Sequence, residues 1–162
     1  MKDRETINSM FQAFLQVQKM DIPYSIKNKM LGAIFNMTPN GWRVVGITEK
    51  AIFRFKDYDF RYKSGMGINR SHKVPRHKRN RYLLENENWD VESWWKYFYE
   101  RDKCILATST ENMNKEPLIS KFRVPKNLFR SSGFSFKVKE AESIFLEHAY
   151  NKLAKQNRKN FN

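Results

Sequence analysis

Ile7, Met10, Phe11, Phe14 and Leu15 recur at the intervals that gather side chains on one face of a helix, with polar residues between them. The spacing predicts an amphipathic first helix. Pro23 stands where a second helix can begin, because proline fixes φ and forfeits only an N–H that the first turn leaves unbonded. Ile26, Met30, Leu31, Ile34 and Phe35 give that helix its apolar face, and Pro39, Asn40 and Gly41 break it. Residues 1–40 therefore read as a helical N-terminal part.

Trp42 to Ile47 reads as a short strand, and Thr48 as the N-cap of a brief helix carrying Ala51, Ile52 and Phe55. Gly65 and Gly67 then punctuate a loop. Asp90 caps a further predicted helix whose apolar stripe is Val91, Trp94, Trp95 and Phe98. Two adjacent tryptophans cannot share one helical line, so one is expected in the core and the other at its rim. A buried strand is expected from Cys104 to Ala107, with Cys104 as a small core hydrophobe. Beyond Pro117, extended pieces are expected at Ile119 to Val124 and at Gly133 to Val138. A final helix places Ala141, Ile144, Phe145, His148, Ala149 and Leu153 on one face, with His148 partly buried there. Residues 155–162 read as a frayed basic tail. The expected class is α+β: a compact single domain with N-terminal helices, short mixed or antiparallel strands and a C-terminal helix.

Composition supports one folded domain. At 162 residues and 40% hydrophobic content the chain can build one ordinary core, and an aromatic content of 15% argues against disorder. Cys104 is the single cysteine, which excludes an intramolecular disulfide and a cysteine-rich zinc site and suits a reducing compartment. No apolar run reaches membrane-spanning length, and the first twenty residues lack the plan of a signal peptide. The expected setting is cytoplasmic, with no membrane partner.

Charge adds a partner. The 31 Lys and Arg oppose 17 Asp and Glu, a formal net charge of +14. From Phe60 to Leu84 there is no acid at all, while Arg61, Lys63, Arg70, Lys73, Arg76, Lys78, Arg79 and Arg81 accumulate beside His72 and His77. Such a run is the electrostatic footprint of a surface that meets a polyanion, and nucleic acid is the expected one. The run also lacks the apolar helical stripe of an interfacial membrane helix.

Lys103 to Asn114 reads as an aliphatic strand that turns through Thr108 into a short helix. Ala107, Thr108, Ser109, Thr110, Glu111 and Asn112 in this order resemble the second strand and helix of the HNH, or ββα-metal, nuclease family. His72 in the stretch GINRSHKVPR stands where that family ends its preceding strand with a histidine. The resemblance covers residues within 60–115, the candidate active-site region. It implies a metal-dependent endonuclease that hydrolyses phosphodiester bonds in DNA. His72 would be the general base, since its ordinary pKa lies near neutrality. Asn112 would join it in catalysis and, with Glu111, would ligate Mg²⁺ or another divalent cation that prefers hard oxygen donors. Arg70, Lys73, Arg76, Lys78, Arg79 and Arg81 would hold the nucleic acid, taken as double-stranded DNA.

Where the family usually has a second metal ligand before its histidine, this chain has Ser71, so Asn69 and Asn114 enter as substitutes. Where the family's asparagine falls before the second strand, Asp102 and Lys103 stand instead. Specific cleavage of both strands would call for two sites or two passes, which a homodimer would supply. The alternative from a different class is a non-catalytic DNA- or RNA-binding protein that blocks or recruits a larger machine. No RRM-type aromatic pair, GXXG loop or helix-turn-helix spacing singles out one known reader.

Overall fold

The computed structural model describes residues 2–36, 38, 41–114, 117–130 and 136–159. Seven helices and four strands follow one another: α1 (Lys2–Lys19), α2 (Tyr24–Asn36), β1 (Arg43–Ile47), α3 (Glu49–Lys56), β2 (Ile68–His72), α4 (Arg76–Glu85), α5 (Val91–Arg101), β3 (Lys103–Thr108), α6 (Ser109–Met113), β4 (Phe122–Arg123) and α7 (Glu140–Lys159). The class is α+β, as the alternation of patterns predicts. No helix among the described residues is long and apolar enough to cross a membrane.

The chain gathers into two compact units with separate apolar clusters. The first unit holds residues 1–42 and 72–103. Here α1 packs on α2 and α5, α2 on α4, and α4 on α5. Met10, Phe14, Leu31, Phe35, Leu83 and Phe98 close around Trp94, whose ring lies 5.3 Å from that of Phe11 and 5.4 Å from that of Phe14. Trp94 is fully buried and Trp95 lies partly buried at the edge, which divides the adjacent pair as helical geometry requires.

The second unit holds residues 43–71, 104–130 and the chain from 135 onward. It contains the four-stranded sheet, ordered β2-β3-β1-β4, apart from His72 and Lys103 at the strand ends. β1 and β4 pair antiparallel, with Gly46 opposite Arg123 and Ile47 opposite Phe122. Thr48 caps α3 as expected: its side chain accepts from the Ala51 N–H at 3.1 Å. Helix α7 packs on α3 and contributes Leu146, Ala149 and Leu153 to the core around Ile47, Ile52, Phe55 and Leu106.

Several expectations change. Helix α4 runs through the basic segment, where no helix was expected, because its buried positions are Arg79, Asn80 and Leu83 and so leave no apolar period to read. In α2, Ile26 is exposed and the buried face narrows to Leu31 and Phe35. In α7 the inward face passes through Glu142, Leu146, Ala149 and Leu153, which turns His148 and Ile144 outward to solvent. The expected frayed tail is helical as far as Lys159, for no Gly or Pro interrupts residues 154–159; residues 160–162 lie outside the described residues. Of the strand expected at 133–138, residues 133–135 lie outside the described residues and 136–138 form no strand. Pro39 and Asn40, expected to end α2, also lie outside them.

Candidate nucleic-acid interface

The first unit places His72, the last residue of β2, against Asp102, which follows α5 as its C-cap. An acid at the C-terminal end of a helix opposes the helix dipole, so its position asks for a cation from elsewhere in the fold. Arg79 of α4 supplies it. Its Nη1 donates to Oδ1 of Asp102, and its guanidinium lies 4.8 Å from the ring of Phe35 and 4.9 Å from that of Phe98. His72 Nε2 lies 3.1 Å from the same Oδ1. The remaining oxygen, Oδ2, accepts the backbone N–H of Trp42.

Trp42 meets Asp102 from a left-handed conformation, φ 58°, that a non-glycine residue adopts only where surrounding contacts hold it. Its ring then stands 4.5 Å from the imidazole of His72, and its Nε1 donates to Oδ1 of Asn36 at 2.7 Å.

Burial lowers the pKa of His72 by penalising the imidazolium, an effect that Asp102 opposes and Arg79 and Arg76 reinforce. Burial would raise Asp102, but the hydrogen bond from His72, the charge of Arg79 and the Trp42 N–H outweigh it and hold the carboxyl below its ordinary value. At neutral pH the pair is therefore a carboxylate and a neutral imidazole. The hydrogen-bond pattern assigns the proton to Nε2, where it is donated to Asp102, and leaves a lone pair on Nδ1.

The six arginines and lysines expected to hold nucleic acid divide. Lys73, Lys78 and Arg81 are exposed, and Arg76 is half-buried with its guanidinium 4.7 Å over the ring of Trp42. Arg79, 1% exposed, is the buried counter-ion of Asp102 and not a surface cation. Arg70 is 6% exposed and lies over the ring of Phe136 in the second unit. Counting charges along the sequence misplaces both, because strand β2 and helix α4 turn alternate members of the run inward.

Glu111 and Asn112 belong to the second unit, on α6. Oε2 of Glu111 accepts from the Thr108 N–H, from Oγ1 of Thr108 and from Oγ1 of Thr48, each at 2.9 Å. The Glu111 N–H is bonded in turn to the Thr108 hydroxyl, completing a capping box. Asn112 is exposed. Asn69, a substitute ligand, instead donates from Nδ2 to Oγ of Ser109 at 3.1 Å, and Asn114 is the C-cap of α6.

Oε2 of Glu111 serves its own helix cap, and the acid beside His72 is neutralised by Arg79. Among the described residues no three His, Cys, Asp or Glu side chains gather as ligands.

The outward face of the first unit combines charge with aromatic rings. Tyr82, 47% exposed on α4, stacks on Tyr97 of α5 with centroids 4.5 Å apart and planes 13° from parallel. Trp89 meets both rings edgewise or tilted, and the guanidinium of Arg101 lies 3.9 Å from the Tyr97 centroid. One residue before Tyr82 on α4, Arg81 lies over the ring of Tyr24, whose hydroxyl donates to the carbonyl of His77 at 2.6 Å. No family model, curated protein or solved structure matches this chain.

Asp102 and the aromatic stack are the residues that reading the sequence for function passed over. The acid had a signal, its unfavourable place at a helix end. Tyr82 and Tyr97 had none, because the contact joins two helices.

Proposed function

We propose that the protein binds nucleic acid through this face of its first unit. The observation that carries the reading is that exposed Lys78 and Arg81 share α4 with Tyr82, whose ring stacks on Tyr97, with exposed Lys73 ahead of the helix. Cations track a phosphate backbone by releasing its counterions, and an exposed aromatic face stacks on an unpaired base of any identity. The combination favours single-stranded or locally opened DNA or RNA over an intact duplex, whose bases offer no free faces. Anisotropy titrations of labelled single-stranded and duplex oligonucleotides at several salt concentrations test it. Binding that is stronger for the single strand and weakens steeply with salt is the expected result. Affinity indifferent to salt, or absent for both, would overturn it.

The His72–Asp102 pair supports a second reading, phosphodiester hydrolysis in DNA with His72 as general base. A neutral imidazole oriented by a carboxylate has the protonation state that a base requires. No step through a metal is assigned, since Oε2 of Glu111 serves its helix cap and Asp102 is neutralised by Arg79. Supercoiled plasmid incubated with the protein in Mg²⁺ or Mn²⁺, beside EDTA and a His72→Ala variant, decides this reading. Nicking lost in the His72→Ala variant would support it, with EDTA showing whether a divalent cation takes part, whereas intact plasmid that is nonetheless retarded on a gel would leave binding alone.

A further inference from the structure

The second unit holds a pocket of about 600 Å³ where the start of α3, helix α6 and the segment from Pro117 to Lys121 meet. Burial grades its lining. Thr48 is buried and Glu111 and Leu118 are half-buried, whereas Lys50 and Lys121 are exposed at the mouth and Phe53, 38% exposed, supplies an aromatic side. Glu111 enters this lining with one oxygen already spent: Oε2 accepts from the Thr108 N–H, from Oγ1 of Thr108 and from Oγ1 of Thr48, each at 2.9 Å. Three donors on one oxygen fix the carboxylate in place. Its Oε1 is bonded to no donor, and the group to no cation, among the described residues.

The other charges of the lining differ from Glu111. Oε2 of Glu49 lies 3.1 Å from Nζ of Lys121, so that acid is neutralised, while Lys50 pairs with no acid among the described residues. Phe53 is held by Tyr150, with ring centroids 5.7 Å apart and planes at 89°. The pocket therefore combines a fixed, charged acceptor at depth, an aromatic ring beside the aliphatic Leu118, and an ammonium group at the mouth.

A nucleotide has the complementary order: N–H groups on the edge of a flat ring, and phosphate at the other end. A carboxylate oxygen only accepts, so it favours a base edge on which donors adjoin. Guanine carries two neighbouring donors, N1–H and the N2 amino group, on its Watson–Crick edge. The amino group of adenine or cytosine adjoins a ring nitrogen that accepts, and the N3–H of uracil or thymine lies between two carbonyls. Each of those brings a lone pair against the carboxylate. We propose that this pocket is a guanine site, which takes the base of a guanine nucleotide or an unpaired guanine of a strand. Glu111 Oε1 accepts from the base edge, Phe53 lies against the ring and Lys50 meets the phosphate. The site lies wholly in the second unit and does not depend on the binding face of the first.

The test titrates guanosine, adenosine, cytidine and uridine monophosphate by calorimetry into the wild type, Glu111→Gln and Phe53→Ala at fixed ionic strength. Glu111→Gln is nearly isosteric and keeps an acceptor for the three cap bonds, since glutamine also serves a capping box, but sets an amide donor where Oε1 stood. Phe53 is exposed enough that its truncation leaves the core intact. The wild type should bind guanosine monophosphate about tenfold more tightly than the other three, as expected for charge-assisted hydrogen bonds. Glu111→Gln should bring that ratio close to one, and Phe53→Ala should weaken every monophosphate. Anisotropy titrations of oligothymidylate carrying one central deoxyguanosine or deoxyadenosine separate the two sources: a guanine preference confined to one series names the source of the base. Equal or absent binding across both series, a preference that survives Glu111→Gln, or affinities unmoved by Phe53→Ala would overturn the site. Salt-dependent binding of both oligomers without a guanine preference would remove the pocket and keep the face of the first unit.

Discussion

His72 Nε2 approaches Oδ1 of Asp102 at 3.1 Å on the same oxygen that takes the Arg79 guanidinium, so one buried carboxylate serves two basic side chains. With the Trp42 N–H on its other oxygen, Asp102 ties together the end of β2, the middle of α4 and the segment that follows α2. Burying three ionisable groups is costly unless each is paired and hydrogen-bonded, and here each partner meets the others' requirement. The same contacts that orient His72 also hold the α-helical unit together, so His72 variants report on both stability and any chemistry.

Removing the carboxylate should be severe. Asp102→Ala leaves the Arg79 guanidinium, 1% exposed, without its counter-ion, and the expected loss is about 3–5 kcal/mol by urea unfolding. Arg79→Met combined with Asp102→Leu should recover much of that loss, because it removes both charges instead of stranding one. A double variant no more stable than Asp102→Ala would show that the ion pair is not the main tie.

Acid should weaken the fold in two steps. The folded state holds His72 below its ordinary value of 6.5, so as pH falls through that value the unfolded chain takes up a proton that the folded chain refuses. Stability present above pH 6.5 is therefore lost on acidification toward the lower folded pKa. Asp102 acts in the same direction in a lower window, since its folded pKa lies below 3.8: stability is complete above that value and lost beneath it. Urea midpoints measured between pH 7.5 and pH 5 should fall for the wild type and stay flatter for His72→Asn. Parallel declines in the two proteins would remove His72 from the account.

Glu142 gives the second unit a buried carboxylate of its own. It is 4% exposed, and it accepts the backbone N–H of Phe129 through Oε1 and that of Lys139 through Oε2, both at 2.9 Å. Phe129 has φ 54°, so the carboxylate supports a left-handed residue as well as the start of α7. Glu142→Ala strands a buried N–H and should cost about 1–3 kcal/mol in thermal or urea unfolding. A change within experimental error would mean that water replaces the carboxylate.

The order of α1, α2, β1, α3, α5, β3 and α7 was legible because each carries either an apolar period or a cap: Thr48 and Asp90 accept the N–H groups that their positions predict. Helix α4 was not legible, for the side chains it buries are Arg79 and Asn80, which only a tertiary carboxylate and amide make tolerable. The candidate site followed the same division. His72 stood out as a histidine at a strand end, and Lys78 and Arg81 as surface charge, but Asp102 and Trp42 beside His72, Tyr24 under Arg81 and Tyr97 against Tyr82 lie on other elements. Glu111 illustrates the converse: a residue singled out by family resemblance proves to serve a capping box whose signature, Thr108 followed three residues later by Glu111, was local and readable.

Charge and stacking should separate experimentally on the binding face. Tyr82→Ala removes the exposed ring of the Tyr82–Tyr97 pair and leaves the cations of α4 in place. It should weaken single-strand binding by about 1–3 kcal/mol with little change in the salt slope. Replacing Lys78 and Arg81 with Gln should instead reduce the slope of log Kobs against log salt by about 1.4, since each phosphate contact to a single strand contributes roughly 0.7. A Tyr82→Ala variant that binds like the wild type, measured at two salt concentrations, would eliminate base stacking and leave a purely electrostatic surface.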